Sequence, residues 1–206
     1  MQYLEQSGKK ENTVVIFLAD HGELMGDHGM YCKGPFHYEG LLHVPMAMSW
    51  PGHFAESKKT KALVSILDFM PTILELAGIE YPCGPVKPWE GPFEGKELYT
   101  ESPLPGKSLV PLLEGRKEEL QESILVEDDD DIRKVNIRTL ITKDYKITVY
   151  SDRTYGELFD RKNDPEERNN LWDDEQMKEV KQEMIWKLMQ KMLANQDRTT
   201  RRIGIA

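Results

Sequence analysis

The period of the apolar positions changes along the chain. Thr13 to Leu18 is a continuous apolar run, β-branched at its start, the pattern of a strand buried on both faces. Strands of that kind belong to parallel sheets with helices on either side. Val44 to Trp50 is a second buried strand, stopped by Pro51-Gly52. Ahead of both, Met1 to Gly8 reads as the last turns of a helix ended by Gly8. At Ser65 the spacing becomes helical: Ile66, Phe69, Ile73, Leu74 and Ala77 share one face as far as Gly78. Pro71 lies inside that pattern, so either the helix kinks or its regular part starts there, with Asp68 as a nearby cap. Residues 80 to 106 carry many Pro and Gly and no sustained period, which predicts a long surface loop.

From Ser123 the texture is that of short strands: Ser123 to Val126, Ile137 to Ile141, Lys146 to Tyr150 and Glu157 to Phe159. The Lys143-Asp144 turn joins two of them antiparallel, and Asp128 to Asp131 reads as a solvated acidic loop. The last element is a helix from Glu175 to about Asn195. Its stripe of Met177, Val180, Met184, Leu188 and Met192 makes a core face over the small sheet. The predicted fold class is therefore α/β: the sheet-and-helix end of one domain over residues 1–116, then a small antiparallel sheet with one helix over 117–206.

Composition narrows the partners. The chain has 206 residues, a net charge of −9 and 31% charged residues. An acidic balance argues against a nucleic-acid groove, which needs surplus Lys and Arg. No apolar run approaches the roughly 20 residues that span a bilayer, and Met1 to Lys10 lacks the apolar stretch of a signal peptide. Two cysteines, Cys32 and Cys83, make no disulfide framework and read as free thiols, so the cellular compartment stays open.

The candidate chemistry lies after the first strand. Asp20 and His21 sit just past its C-terminal end, the edge at which open α/β sheets gather ligands. Side by side in a turn, they can aim a carboxylate oxygen and an imidazole nitrogen at one cation, and Gly22 permits a sharp, close backbone. A second triplet, Asp27-His28-Gly29, follows no strand and reads as a turn. Lys33, between Cys32 and a Gly-Pro pair, can reach the same strand edge and hold a tetrahedral oxyanion.

Taken in order, Val14-Val15-Ile16-Phe17, Ala19-Asp20-His21-Gly22-Glu23, Gly26-Asp27-His28-Gly29, Lys33-Gly34-Pro35, Tyr38-Glu39, Val44-Pro45 and Trp50-Pro51-Gly52 closely resemble the second signature region of the sulfatase family, in the alkaline phosphatase superfamily. The resemblance extends through Val64 to Thr72, Leu76-Ala77-Gly78, Gly106 to Leu109, Pro111-Leu112-Leu113, Gly156 to Asp160, Asn163-Asp164-Pro165 and Glu167 to Leu171. It implies sulfate-ester hydrolysis, with a formylglycine hydrate attacking sulfur beside one divalent cation. That cation is calcium in most members, with magnesium or manganese as alternatives because His21 departs from the all-oxygen set calcium prefers. By resemblance Asp20 and His21 are metal ligands and Lys33 binds the sulfate. The substrate would be a small-molecule or carbohydrate sulfate ester.

The family nucleophile, in a Cys/Ser-x-Pro/Ala-x-Arg motif, and the first pair of metal carboxylates are not among these residues. Cys83-Gly84-Pro85-Val86-Lys87 mimics the motif but has Lys87 for the arginine and follows the metal motif. The expectation is a fragment holding half a site, inactive alone and with the N-terminal segment as a possible partner. The alternatives are a phosphoesterase or phosphonate monoester hydrolase of the same superfamily, or a non-catalytic truncated remnant.

Overall fold

A computed structural model of the chain describes residues 1–79 and 106–195. The first apolar run forms β1 (Val15–Leu18), and the second forms β2 (Met46–Ser49). A short helix, α1 (Gln2–Gln6), precedes them and gives way at Gly8, whose φ of 68° is the left-handed turn expected past a helix end. β1 and β2 pair antiparallel, Val15 opposite Ser49 and Leu18 opposite Met46. The parallel neighbour predicted for β1 is not found among the described residues, and Phe17 is 63% exposed. A continuous apolar run reports that both faces of a strand suit burial. It carries no information on which way the neighbouring strand runs.

The next helix begins at Ser65, not at Pro71. A 3-10 turn over Ile66–Asp68 leads into α3 (Phe69–Leu76). The Ser65 hydroxyl accepts from the Leu67 N–H, and the Asp68 carboxylate accepts from the Ser65 N–H at 2.8 Å, a reciprocal cap. Pro71 falls in the first turn, where its missing N–H removes no helical bond. The predicted face is only partly covered: Phe69 and Leu74 are half-buried and Ile66 and Ile73 exposed, while Asp68, Pro71 and Thr72 are buried. A polar network holds that face. Asp68 also accepts from the Lys107 N–H at 2.7 Å and from the Gln121 amide at 2.9 Å, and the Thr72 hydroxyl accepts from the Leu109 N–H at 2.8 Å. These bonds seat the short helix α4 (Val110–Leu113), whose Val110 and Leu112 are buried beside Leu109.

The C-terminal unit is a four-stranded antiparallel meander: β3 (Ser123–Asp130), β4 (Val135–Thr142), β5 (Tyr145–Tyr150) and β6 (Gly156–Asp160). The Lys143-Asp144 turn joins β4 to β5 as expected. Successive side chains along a strand point to opposite faces, so the register sorts this sheet. Leu125, Leu140, Ile147 and Leu158 line up on one face and pack on Met184 and Leu188 of α5 (Lys178–Ala194). Met177, Val180 and Met192 complete the predicted stripe, partly buried. The acidic loop is corrected: Asp128, Asp129 and Asp130 belong to β3. Arg138 on β4 ion-pairs with Glu127 at 2.9 Å and Asp129 at 2.7 Å, so cross-strand charge complementarity lets acidic residues extend the ladder.

The second face of the same sheet carries Thr139, Lys146, Thr148, Glu157 and Phe159. It is covered, not solvated: Thr139, Lys146 and Thr148 are fully buried. The cover is the segment from His37, four residues downstream of Lys33, to the start of α2 (Glu39–Leu42).

Candidate active site

Asp20 and His21 follow β1 directly, with the Ala19 N–H donating to the Pro45 carbonyl at the edge of β2. Gly22 then turns the chain against α2. Its N–H donates to the Leu41 carbonyl at 2.8 Å, and a Cβ at position 22 would lie 1.8 Å from the Gly40 carbonyl oxygen. Only glycine permits that approach.

The His21 ring is oriented by the carbonyl of Gly22, which lies 2.7 Å from Nδ1. A carbonyl only accepts, so Nδ1 carries the proton and Nε2 presents its lone pair. Two groups meet that lone pair. The Lys33 ammonium donates to Nε2 at 2.9 Å, and the Asp20 Oδ2 lies 3.6 Å from it. Asp20 accepts from the His21 N–H at 3.0 Å, which with its own N–H holds the carboxyl below the usual carboxylate range. The structure thus brings together all three residues singled out from sequence, at the end of β1. A carboxylate oxygen and an imidazole lone pair side by side suit a shared positive charge, and Lys33 supplies one. The pair fits part of the donor set of a divalent cation. Among the described residues no cluster of three or more such donors occurs, so the rest of a coordination sphere would come from elsewhere.

The second triplet is a turn, as expected: Asp27–Gly29 is a 3-10 turn with His28 at φ 50°, its ring stacked on Tyr38 at 3.8 Å. Cys32 is an exposed free thiol at φ 66° beside Lys33. Cys83, the mimic motif through Lys87 and most of the Pro- and Gly-rich stretch lie outside the described residues.

A second set of polar residues escaped the sequence reading. Lys146 donates to the His37 carbonyl at 2.5 Å and ion-pairs with Glu167, both groups buried. Burial pulls the Lys146 ammonium below the usual lysine range, against the opposing pull of Glu167. The other Glu167 oxygen accepts from the Glu39 N–H at 2.9 Å. Tyr38 and Tyr150 both donate to Glu157, at 2.8 and 2.9 Å. The His37 Nδ1 lies 2.7 Å from the Thr139 hydroxyl, which lies 2.8 Å from that of Thr148. Burial, then the positive charges of Lys146 and Arg138, push the His37 pKa down to about 4. On the strands these residues alternate as a solvated face would, so period alone gives no sign of a cover.

An Asp-His pair and a lysine thus meet at the end of β1, ahead of a separate antiparallel sheet and helix. The sulfatase family model matches residues 1–79, and the model of the N-sulphoglucosamine sulphohydrolase C-terminal region matches residues 97–194. The chain belongs to the sulfatase family of the alkaline phosphatase superfamily. An uncharacterized sulfatase of Escherichia coli, YidJ, is 32% identical over 177 residues, covering 85% of this chain and 31% of that protein. An arylsulfatase of Clostridium perfringens is 31% identical, covering 85% and 33%, and an N-acetylglucosamine-6-O-sulfatase of Bacteroides thetaiotaomicron is 29% identical, covering 84% and 28%. The chain thus spans about a third of the length of these relatives. Among solved structures, a 2-O GAG sulfatase matches with a TM-score of 0.77 at 27% identity, covering 95% of this chain and 39% of that one. A phosphonate monoester hydrolase of Agrobacterium radiobacter matches with a TM-score of 0.77 at 25% identity, covering 96% and 38%. The resemblance to sulfuric ester hydrolases is therefore carried by sequence and by fold.

Proposed function

We propose that residues 1–116 form part of the catalytic unit of a sulfate-ester hydrolase, with 117–206 as its C-terminal sheet unit. One observation carries this reading: the Lys33 ammonium, the His21 Nε2 lone pair and the Asp20 carboxylate converge at the end of β1. In this reading Asp20 and His21 hold one divalent cation, calcium first and magnesium or manganese next. The cation supplies charge neutralisation at the sulfate oxygens. Lys33 binds the same group, and its fixed charge favours the transition state as negative charge shifts on those oxygens. The Gly22 carbonyl keeps the His21 tautomer that offers Nε2. None of the 206 residues lies in a Cys/Ser-x-Pro/Ala-x-Arg motif, so the formylglycine nucleophile is not among them. The 206 residues by themselves should not turn over an ester.

The names of the relatives support a carbohydrate sulfate as the substrate class. The test is a paired assay of the full-length protein with the sulfate and the phosphate or phosphonate ester of one alcohol. Sulfate turnover should dominate and fall on the order of 100-fold or more in Lys33→Ala and in Asp20→Ala. Preference for the phosphorus ester would instead favour the phosphonate monoester hydrolase reading, which the Agrobacterium structure also fits in fold.

A further inference from the structure

Among the described residues, no hydrogen bond holds the main chain from Cys32 to Phe36. Lys33 follows Cys32 in the left-handed region and precedes Gly34-Pro35. The anchoring contacts of this stretch begin at His37. Three consecutive residues there are each tied to a different part of the C-terminal sheet unit. His37 bonds Thr139 of β4 through its ring and Lys146 of β5 through its carbonyl. Tyr38 bonds Glu157 of β6. The Glu39 N–H bonds Glu167, which follows the sheet and sits at φ 55°, a conformation a glutamate rarely adopts. Lys146 is the hub. Fully buried, it reaches the His37 carbonyl and Glu167, with its ammonium 5.9 Å from the Tyr38 ring centroid and 5.5 Å from that of Phe159. A buried ion pair is weak support for stability, since desolvation offsets the attraction. A buried lysine here is better explained by what it holds in place.

We propose that Lys146 is a positioning residue for Lys33, fixing through the main chain of His37 to Glu39 the loop that aims the Lys33 ammonium at the anion, with Glu167 as its counter-charge. The inference rests on the reading of Lys33 as the sulfate contact. It makes the C-terminal sheet a part of the active-site apparatus.

The experiment is a double-variant cycle in the full-length protein, with inorganic sulfate as the competitive probe and KM and kcat read separately. Lys146→Met alone leaves Glu167 charged and buried, so the working variant is Lys146→Met/Glu167→Gln, with Lys146→Arg as the conservative control. Expected is a rise of roughly tenfold in KM and in the sulfate inhibition constant, the scale on which orienting groups act, with recovery in Lys146→Arg. Added to Lys33→Ala, the double substitution should have no further effect on sulfate affinity. If the two effects multiply, Lys146 acts independently of Lys33 and the proposal is overturned while the sulfatase reading stands. Unchanged sulfate affinity in the Lys146 variant overturns it equally. If Lys33→Ala itself leaves sulfate affinity intact, the anion role of Lys33 fails first, and the positioning role falls with it.

Discussion

At the scale of single residues, the site depends on groups that have little room to vary. Gly22 is the clearest. A methyl group there would press into the Gly40 carbonyl oxygen, and backbone cannot give way as a flexible side chain can. Gly22→Ala should lower stability by about 3 kcal/mol, measured as a shift in the urea midpoint. A shift within experimental error would show that α2 does not hold the turn after Asp20 and His21. His37 makes a pH prediction. Its folded-state pKa is depressed to about 4 from 6.5, so the unfolded chain takes up a proton first as the medium is acidified. Its contribution to stability is complete above about pH 6.5 and is lost as pH falls through 4. Between pH 7 and 4.5 the loss from this residue is about 2 kcal/mol. Urea melts across that window should show a flatter dependence in His37→Asn. An identical slope in both proteins would mean that the buried imidazole is not the titrating group.

At the scale of elements, α5 and the sheet beneath it were readable because two periods agree. Alternation along β4 and β5 and the helical stripe from Met177 to Met192 both point at one core. Met184→Ala and Leu188→Ala should each cost about 2–5 kcal/mol. Trp186→Ala, on the exposed side of the same helix, should cost well under either, and denaturant titration of the three variants compares them directly. The elements that misled are instructive for the same reason. The face Ile66, Ile73 has helical spacing but is exposed, because Asp68 and Thr72 are satisfied by partners as far away as Lys107, Leu109 and Gln121. Burial of a polar residue depends on finding its hydrogen-bond partners, and these are distant in sequence. Lys146 and Thr148 likewise look solvated on β5 until the cover from His37 to Glu39 is seen. The Asp20, His21 and Lys33 cluster was legible because it follows a strand end in a recognisable order. The residues that hold it were not, since nothing local to β5 or to Glu167 signals a partner more than 100 positions away.

For the molecule as a whole, the two regions differ in how they are supported. The C-terminal sheet has four strands, a helix on one face and the His37 to Glu39 segment on the other. β1 and β2 form a two-stranded sheet with Phe17 largely exposed. Local opening is easiest where buried contacts are few. Amide hydrogen exchange should therefore be slower for Leu140 and Ile147 than for Ile16 and Phe17. Stronger protection of β1 in a monomeric sample would contradict this ranking. Net charge matters at this scale too. The chain carries −9, so any anion approaches a surface of like net charge, a repulsion that raising salt should weaken.

The long reach of the Lys146 and Glu167 contacts also sets an order of events during synthesis. Glu39 leaves the ribosome 128 residues before Glu167. At roughly 5–20 residues per second that interval is on the order of ten seconds. Throughout it, the loop bearing Lys33 exists without the strands that fasten it. This stretch is written early and latched late, so a nascent chain can hold Asp20, His21 and Lys33 and still lack the contacts that anchor the segment just after them.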